Sequence, residues 1–554
     1  MELELTWIVA AAGLSAWVAP KAARRVQLSR AKHRSLAGHS RIAKRLSEWL
    51  PSWSYDEAHF FCVDGAPAEV AARRKAALQR LGAAFAQRFP KGAEMSAGAR
   101  QSLPDLEFTS KYRVPFQFSP LISAMIKSSS FVERSDGVTV TDIDGNVMFD
   151  VAGSYGVNLL GYDFYKATIQ KAVEEAGALG PVLGAYHAAL PEVIDRLKAI
   201  SGLDAVSFHM SGTEAVMQAV RLARYHTRKT HLVRFCGAYH GWWEDVQPGP
   251  GNPSPHRETY TLRDMDERSL KVLRSRRDIA CVLVNPLQGL HPNSPAPGDS
   301  SLVDSGRKAG FDRQAYADWL KQLREVCTER GIVLIFDEVF LGFRLAPGGA
   351  QDYFGVRADM VTYGKTLGGG FPVGVVCGKA EFMKRYRDDR PTDLCFARGT
   401  FNAHPYVLCA MRAFLRALDE PEVHSLYANL DQRWQSRAED LNARLAEAGL
   451  PVRVSALSSV WTVTYTEPSR YNWMLQFYLR LQGLALSWVG SGRMIFSLNY
   501  RDEDFAAVRD RFVAAARQMR DDGWWDYAPV SNKAIRRGIL REMLHTRFPM
   551  LVSR

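Results

Sequence analysis

Two polar residues at the ends of apolar runs carry the first chemical signal in this sequence. Asp337 follows the run IVLIF (332–336), and Lys365 follows MVTY (360–363) on a glycine-rich turn. A buried carboxylate needs a cationic partner, and a protonated ring nitrogen is one such partner. A desolvated lysine loses its proton readily and can form an imine with an aldehyde. Singly, Asp337 could form a structural ion pair and Lys365 could be a solvated loop charge, but together they predict an imine-forming site.

A small polar loop gives the second signal. Ser211-Gly212-Thr213 follows the apolar run AVSFH (205–209) and opens the helical stretch VMQAVRLARYHTR. Free backbone N–H groups at the positive end of a helix dipole bind anions, Gly212 lets the backbone approach, and Thr213 adds a hydroxyl. This composition suits phosphate, with ordinary helix capping as the alternative explanation.

The elements that must position these residues alternate along the chain. Between about residues 200 and 380, short apolar runs such as HLVRF (231–235) and ACVLV (280–284) alternate with helical stretches such as 313–329. This alternation predicts an α/β fold with a mainly parallel sheet covered by helices. Ligands of such sheets bind at the carboxyl ends of the strands, where Asp337, Lys365 and the polar loop are expected.

A hairpin and a helical extension precede this region. VTVTDIDGNVMFDV (138–151) predicts two strands joined by a turn at Asp144-Gly145. A calcium loop is the weaker interpretation because Gly145 comes too early in it. Residues 20–105 are Ala- and Arg-rich with a helical pattern and no catalytic group, so we expect an accessory extension there.

The segment LIFDEVFLGFRLAPGGAQDYFGVRADMVTYGKTLGGGFPVG resembles the core of the class III, fold-type I aminotransferases, and among them the glutamate-1-semialdehyde 2,1-aminomutases. The similarity extends with gaps from Val138 to Phe512, through SGTEAVMQAVRLAR, Tyr239-His240-Gly241 and Gly399-Thr400. It implies an enzyme that uses pyridoxal 5′-phosphate (PLP). The implied fold has a large domain with a mainly parallel seven-stranded sheet covered by helices, a smaller α+β domain and a helical N-terminal extension.

The resemblance also implies a role for each matching residue. Lys365 would hold PLP as a Schiff base and move a proton, Asp337 would pair with the pyridine nitrogen, and Tyr239 would stack on the ring, so these three are the predicted catalytic residues. Gln288 would contact the phenolic oxygen, although Asn285 in the same segment stands where the family has Glu. Thr400 would reach the PLP phosphate of a neighbouring subunit, which implies a homodimer. The predicted cofactor-binding residues are Ser211, Gly212, Thr213, Tyr239, His240, Gln288, Asp337, Lys365 and Thr400.

The substrate is defined less closely. The family binds its substrate carboxylate through an Arg in a Ser-Pro-Val-Arg segment, and the comparable stretch RVPFQ (113–117) has Gln117 at that place. Tyr155 stands where the family has an aromatic residue in the substrate pocket. Without the guanidinium, we expect amino transfer from an amino-acid donor to an apolar aldehyde or ketone. Intramolecular transfer, as in an aminomutase, is the alternative; a non-catalytic scaffold would be expected to lack Lys365 and Asp337.

Five segments are expected along the chain: an N-terminal extension (1–105), the first part of the small domain (106–154), the large PLP-binding domain (155–410), the rest of the small domain (411–530) and a basic tail (531–554). Residues 5–18 form an apolar stretch followed by basic residues from Lys21, a pattern that favours an anchor on the cytoplasmic face of a membrane. The stretch is shorter than the roughly 20 residues of a full span, so an interfacial helix or a helix docked on the protein are alternatives.

Charge and cysteine content narrow the partners. Lys and Arg number 71 against 59 Asp and Glu, and much of the excess lies near the two ends of the chain. No aromatic-interleaved module accompanies these basic runs, so nucleic acid is not an expected partner. The seven cysteines are odd in number and widely spaced, which argues against a disulfide framework or a metal site and fits a reducing, cytoplasmic compartment.

Overall fold

The computed structural model describes residues 2–33, 39–111, 113–128, 131–247, 249–252, 254, 258–290, 293, 309–487, 492–526 and 531–549. The expected N-terminal anchor, residues 5–18, lies within the first helix. No helix in the described part of the chain is long and apolar enough to cross a membrane. The N-terminal helices are α1 (Glu2–Ala31), α2 (Ser40–Trp49), α3 (Glu57–Phe60), α4 (Ala68–Arg88), α5 (Pro90–Arg100), α6 (Pro104–Lys111) and α7 (Ser119–Met125).

The helical extension packs against residues near the end of the chain. The guanidinium of Arg74, on α4, is fully buried, pairs with Asp64 (2.9 Å) and donates to the Gly523 carbonyl (2.8 Å). The Tyr471 hydroxyl donates to the Phe60 carbonyl (2.6 Å). Because a buried charge without partners is costly, these contacts fix α4 in one place.

The predicted hairpin is confirmed. The strands β1 (Val132–Asp136), β2 (Thr139–Asp142) and β3 (Val147–Asp150) pair antiparallel. Gly145 has a φ of 83°, and the Asp142 side chain accepts from the N–H groups of Asp144 (3.0 Å) and Asn146 (2.8 Å). This turn uses the positive φ that glycine adopts without strain.

Seven strands form the central sheet. They are β4 (Ala205–His209), β5 (His231–Phe235), β6 (Thr259–Leu262), β7 (Ile279–Val284), β8 (Val333–Asp337), β9 (Met360–Gly364) and β10 (Gly374–Gly378). Their spatial order is β4-β10-β9-β8-β7-β5-β6, and all but β10 run parallel, β10 being antiparallel to both of its neighbours. Every residue of β7 to β10 is buried, as a sheet covered on both faces requires. The mainly parallel seven-stranded sheet is thus confirmed.

Helices cover this sheet. On α10, Ala215, Ala219 and Ala223 recur every four residues and are fully buried, so small side chains let the helix lie close to the strands. The helices of this region are α8 (Tyr162–Ala176), α9 (Leu190–Ser201), α10 (Gly212–Thr227), α11 (Glu267–Ser275), α12 (Arg313–Arg330), α13 (Gly349–Phe354), α14 (Ala380–Met383) and α15 (Pro405–Ala417). Short 3₁₀ turns occur at Gly153–Gly156, Gly177–Leu179, Pro286–Leu290, Lys365–Gly368 and Asn472–Met474.

The remainder of the chain forms the smaller α+β part. Its elements are α16 (Pro421–Tyr427), α17 (Leu430–Glu447), β11 (Val452–Leu457), β12 (Val460–Tyr465), α18 (Leu475–Leu481), β13 (Leu484–Ala485), β14 (Arg493–Ile495), α19 (Asp502–Asp521) and α20 (Asn532–Arg547). The strands β11, β12 and β14 form an antiparallel sheet, while β13 pairs parallel with β3. This last pairing joins the hairpin to the C-terminal part of the chain. The predicted boundaries at 105, 154, 410 and 530 stay predictions.

Candidate active site

Asp337 and Lys365 lie at one edge of the central sheet because β8 and β9 are adjacent and parallel. Asp337 is the last residue of β8 and only 3 % exposed. Its carboxylate accepts hydrogen bonds from His240 Nδ1 (2.8 Å), the Val339 N–H (3.2 Å) and Thr362 Oγ1 (3.3 Å). Three donors from separate elements fix the direction of this carboxylate.

His240 is the closest of these donors and is itself buried. Burial lowers the pKa of His240, an effect that the neighbouring Asp337 opposes. A neutral imidazole carries one N–H, so we assign that proton to Nδ1, where it is donated to Asp337. Nε2 is then an acceptor, and it has no hydrogen-bond partner in the part of the chain that the structure describes.

Lys365 directly follows β9 and has a φ of 48°, a left-handed conformation that is strained for a residue with a side chain. Burial lowers the pKa of Lys365, Asp337 opposes this change, and Arg344 reinforces it. A lowered pKa increases the share of unprotonated amine, which is the form that attacks an aldehyde. Nζ lies 5.8 Å from the centre of the Phe340 ring.

A left-handed turn packs beside this lysine. All four residues of Gly153–Gly156 have positive φ values, between 44° and 96°. A Cβ on Gly156 would lie 2.6 Å from the Phe340 ring and 3.5 Å from Cδ of Lys365, so only glycine permits this approach. The turn also includes Tyr155, which is substantially exposed. Strained backbone of this kind concentrates at functional sites.

The polar loop, residues 211–213, begins α10 at the same edge. Ser211 caps the helix, since its Oγ accepts from the Glu214 N–H (3.2 Å), so the capping explanation holds for that residue. A Cβ on Gly212 would lie 2.5 Å from the Val339 side chain, two residues after the end of β8. The start of α10 therefore lies against the segment that follows Asp337, and its dipole provides positive potential there.

Tyr239 is held by a residue whose role the sequence left open. Asn285 Nδ2 donates to the Tyr239 carbonyl (3.0 Å), and its Oδ1 accepts from the Leu287 N–H (3.2 Å). The family's Glu has no N–H to donate at that place. Next along the chain, a Cβ on Gly241 would lie 2.5 Å from Oγ1 of Thr213, so the Tyr239 segment meets the start of α10. Partial desolvation raises the pKa of Tyr239, although its side chain is 61% exposed.

Gln288 is buried in the 3₁₀ turn after β7. Its Nε2 donates to the Cys236 carbonyl (2.8 Å), just after β5. Its Oε1 has no partner among the described residues. The side chain is therefore fixed at the carboxyl edge of the sheet and retains free hydrogen-bonding capacity.

The family described as Aminotransferase class-III matches residues 123–244 and 308–516, more than half of the chain. This chain belongs to the class III aminotransferases. The resemblance noted in the sequence is confirmed, and it extends over both the sheet that carries Lys365 and the small domain.

Named relatives agree with this class III assignment. The chain is 34% identical over 354 residues to a glutamate-1-semialdehyde 2,1-aminomutase of Desulfotalea psychrophila, covering 61% of this chain and 76% of that protein. It is 33% identical over 419 residues to the protein of that name from Nitratidesulfovibrio vulgaris, covering 70% and 91%. An omega-transaminase structure from Sphaerobacter thermophilus has a TM-score of 0.62 at 25% identity, covering 79% of this chain and 98% of that chain. A glutamate-1-semialdehyde-aminomutase structure from Pseudomonas aeruginosa shares the fold, with a TM-score of 0.65 at 20% identity and coverage of 81% and 99%.

The class III aminotransferases depend on PLP, which is the cofactor of this chain, and the residues at the sheet edge fit it. Lys365 offers an amine with a lowered pKa to the aldehyde, and Asp337 offers a fixed carboxylate to the ring nitrogen. The start of α10 offers N–H groups to the phosphate, and Gln288 has hydrogen-bonding capacity left for the ring oxygen. When bound, PLP takes up the electron pair that remains when a bond to the α-carbon of an amino acid breaks.

Three predicted residues lie outside this group. Thr400 is exposed on a turn at the surface, where a second subunit could reach it. Tyr155 lies in the left-handed turn beside Lys365. Gln117 is buried, its carbonyl accepts from the Tyr55 N–H (3.0 Å), and its Oε1 has no partner in the described part of the chain. The roles of all three stay predictions.

Two arginines near Tyr155, the buried Arg113 and the partly buried Arg480, escaped the sequence reasoning. Burial lowers the pKa of Arg113 to about 10, and the Tyr155 phenol opposes this change. The pKa of Arg480 is lowered by burial and further by Arg113, while Tyr155 again acts in the opposite direction. Gln476 Nε2 donates to the Arg113 carbonyl (2.7 Å), which places Arg113 against α18, the helix that carries Arg480. Both guanidinium groups therefore lie within electrostatic range of the Tyr155 turn, although the two positions are far apart in the sequence.

Proposed function

We propose that this class III enzyme is an aminotransferase that moves an amino group from an amino-acid donor to a separate aldehyde or ketone. Its catalytic residues are Lys365, Asp337 and Tyr239. The observation that carries the proposal is the shared sheet edge, where a lysine with a lowered pKa lies beside a buried carboxylate fixed by His240. Among the reactions considered for the described residues, formation of an imine with PLP is the one that requires both Lys365 and Asp337.

Each catalytic side chain has a defined task. The Asp337 carboxylate would hold the ring nitrogen of PLP, and the His240 N–H keeps that carboxylate in place. The Lys365 amine would hold the aldehyde carbon of the cofactor, and its Nζ is the base that would take the proton from the donor's α-carbon. Burial favours the neutral amine that this proton transfer requires. Tyr239 covers the ring and is held there through Asn285.

The residues around the Tyr155 turn support a substrate with both charge and apolar surface. An amino-acid donor carries a carboxylate, and Arg113 and Arg480 supply the positive charge that it needs. We therefore propose Arg113, four residues before Gln117, as the carboxylate partner. Exposed rings of Tyr155 and Trp242 offer apolar contact to the acceptor. The acceptor is thus an aldehyde or ketone with an apolar body.

Intramolecular transfer is the second candidate. The relatives that match at 33–34% identity are named glutamate-1-semialdehyde 2,1-aminomutase, a name that denotes transfer of an amino group within one molecule. The two candidates share Lys365 and Asp337 and differ in whether a separate donor is consumed.

A half-reaction experiment separates them. The PLP-loaded enzyme is mixed with single amino acids in the absence of any acceptor, and the visible absorbance and the released 2-oxo acid are followed. A transferase releases one oxo acid per active site and then stops until an acceptor is added. If no amino acid gives this burst and glutamate-1-semialdehyde is isomerised without a donor, the aminotransferase proposal is wrong.

We also propose that the enzyme is a homodimer in which Thr400 reaches the PLP phosphate of the partner subunit. Large apolar side chains are exposed on both sides of Thr400: Phe396 is 73% exposed, and Leu394 and Phe401 are also exposed. Monomers rarely expose contiguous apolar surface of this kind, so it supports a subunit interface. Light scattering of the purified protein tests this, with a monomeric mass counting against it.

Association with the cytoplasmic face of a membrane, through residues 5–18 and the basic residues that follow, is a further part of the proposal. The exposed basic segment of α1 after residue 18 supports it. Fractionation of cells into membrane and soluble parts tests it, and recovery of all the protein in the soluble fraction would count against it.

A further inference from the structure

The net charge of the chain is concentrated in its terminal segments. Residues 1–50 contain nine Lys and Arg against three Asp and Glu, and residues 531–554 contain six against one. The 480 residues between them therefore contain 56 basic and 55 acidic side chains. Both terminal segments also lie outside residues 123–516, within which the family match falls. The excess positive charge is thus separate from the catalytic body.

The two basic segments meet in the structure. The rings of Trp49, at the end of α2, and Phe548, just after α20, have centroids 5.7 Å apart. The Arg547 guanidinium lies over the Trp49 ring at 5.9 Å. Two helices that are almost 500 residues apart in sequence thereby form one continuous surface.

The helix α20 is attached to the body by one face and exposes the other. Ile535 and Met543 are buried, and Glu542 pairs with Arg470 (3.1 Å). The exposed side chains include a large apolar residue, Leu540, which is 50% exposed, among basic ones. The exposed basic residues of this helix are Lys533, Arg536, Arg537, Arg541 and Arg547.

The helix α2 has the same character. Ala43 is buried, and Lys44 Nζ donates to the Ser254 carbonyl (2.9 Å), which ties the helix to the body. Ile42 is 57% exposed, and the exposed Arg41 and Arg45 flank it. Contact with water is unfavourable for an apolar side chain. Such a side chain between exposed arginines fits the boundary between lipid headgroups and acyl chains.

The helix α1 contributes an exposed basic segment. Near its end the helix is attached to the body, where Gln27 Nε2 donates to the Lys271 carbonyl (3.1 Å) and the Ala31 carbonyl accepts from the Arg263 N–H (3.0 Å). The described side chains from Ala16 to Val26 are all exposed. An exposed basic segment of a helix is suited to an anionic surface. Its basic residues are Lys21, Arg24 and Arg25.

We propose that α1, α2 and α20 together form a docking surface for an anionic lipid membrane, here called the basic surface. Its charge is complementary to acidic headgroups, and Ile42 and Leu540 can enter the headgroup layer. This rests on the proposed membrane association and extends it from residues 5–18 to folded elements at both ends of the chain. Nucleic acid fits less well because exposed Ile and Leu side chains have no role against phosphates, and the Trp49 ring is already packed at a tilt against Phe548.

Vesicle co-sedimentation of the full-length, PLP-loaded protein tests the proposal. The vesicles are phosphatidylcholine alone or phosphatidylcholine with about a third of phosphatidylglycerol, at low and at physiological salt, where charges interact over about 8 Å. We expect binding only to the anionic vesicles, weakened by salt. The double variant Arg537→Glu/Arg541→Glu should bind at least tenfold more weakly. A control with the same change in net charge, Lys198→Glu/Arg517→Glu, alters exposed residues on α9 and α19 and should bind like wild type.

Two further variants separate the outcomes. Ile42→Gln/Leu540→Gln keeps the charge and should reduce the binding that remains at physiological salt. Leu14→Asp/Val18→Asp alters only the N-terminal stretch; if this variant alone loses binding while the α20 variant does not, membrane association stands and the basic surface is overturned. Three other results would also overturn the basic surface. They are an equal loss of binding in the control variant, tighter binding to RNA than to vesicles, and dissociation of the dimer in the α20 variant. Amino transfer by the α20 variant is also measured in solution, where we expect the wild-type rate. This activity tests the catalytic proposal independently of membrane binding.

Discussion

Removal of the His240 N–H should weaken the active site in a predictable way. In His240→Phe the ring can still pack, but the 2.8 Å hydrogen bond to Asp337 is lost, which leaves the longer contacts from Val339 (3.2 Å) and Thr362 (3.3 Å). A hydrogen bond to a charged group contributes about 1.5–3 kcal/mol. Because about 1.4 kcal/mol corresponds to a factor of ten, we expect PLP affinity or the rate of the donor half-reaction to fall by about 10- to 150-fold.

The matched control is His240→Asn, whose Nδ2 can take the place of Nδ1 as a donor. The assays are titration of the PLP-free protein with PLP, followed by absorbance, and a single-turnover reaction with excess donor. Partial or full recovery in His240→Asn, with loss in His240→Phe, assigns the effect to the donated proton. Wild-type affinity and rate in His240→Phe would refute the positioning role, and so would an Asn variant as impaired as the Phe variant.

Three more predictions follow from the same geometry. Gly156→Ala forces a Cβ against the Phe340 ring at a φ of 96°, at a cost of about 1–2 kcal/mol or more, so melting temperature and turnover should both fall; an unchanged melting temperature would contradict this. Burial raises the pKa of Glu338 from 4.5 to about 8, so the folded protein loses stability as pH rises between these values. The side chain of Glu338→Gln cannot ionise, so the melting temperature of this variant minus that of wild type should increase from pH 6 to pH 9. A decrease in this difference would contradict the prediction. Asn285→Ala removes the donor to the Tyr239 carbonyl and should weaken PLP binding about 3- to 10-fold in the same titration. Unchanged affinity would show that Asn285 has no role in PLP binding.

The strands and the catalytic edge could be predicted because their signal is local. The strand β4 coincides with the run AVSFH, β9 begins with MVTY, and α12 covers the helical stretch predicted at 313–329. Buried parallel strands are nearly continuous apolar runs, and the residue that follows each run lies at the carboxyl edge. The location of Asp337 and Lys365 at the same edge could therefore be predicted without knowledge of the strand order.

Other features depend on contacts that the sequence does not display. The left-handed turn at Gly153–Gly156 includes Tyr155, whose positive φ is not a preference of tyrosine, and the turn packs through Gly156 against Phe340 and Lys365. The approach of Arg480 to Arg113 is produced by α18 docking on a segment more than 300 residues earlier. The meeting of α2 with α20 is equally non-local, so each basic run, taken alone, predicted only a charged end.

The most direct test of the central claim asks whether the cofactor is attached to Lys365. The purified protein is loaded with PLP, its visible absorbance is recorded, and it is then treated with borohydride, digested and mapped by mass spectrometry. We predict a visible band that the reduction abolishes, a pyridoxyl group on the Lys365 peptide, and neither signal in Lys365→Ala. A PLP-loaded protein without the band, or with the pyridoxyl group on another lysine, would contradict the account.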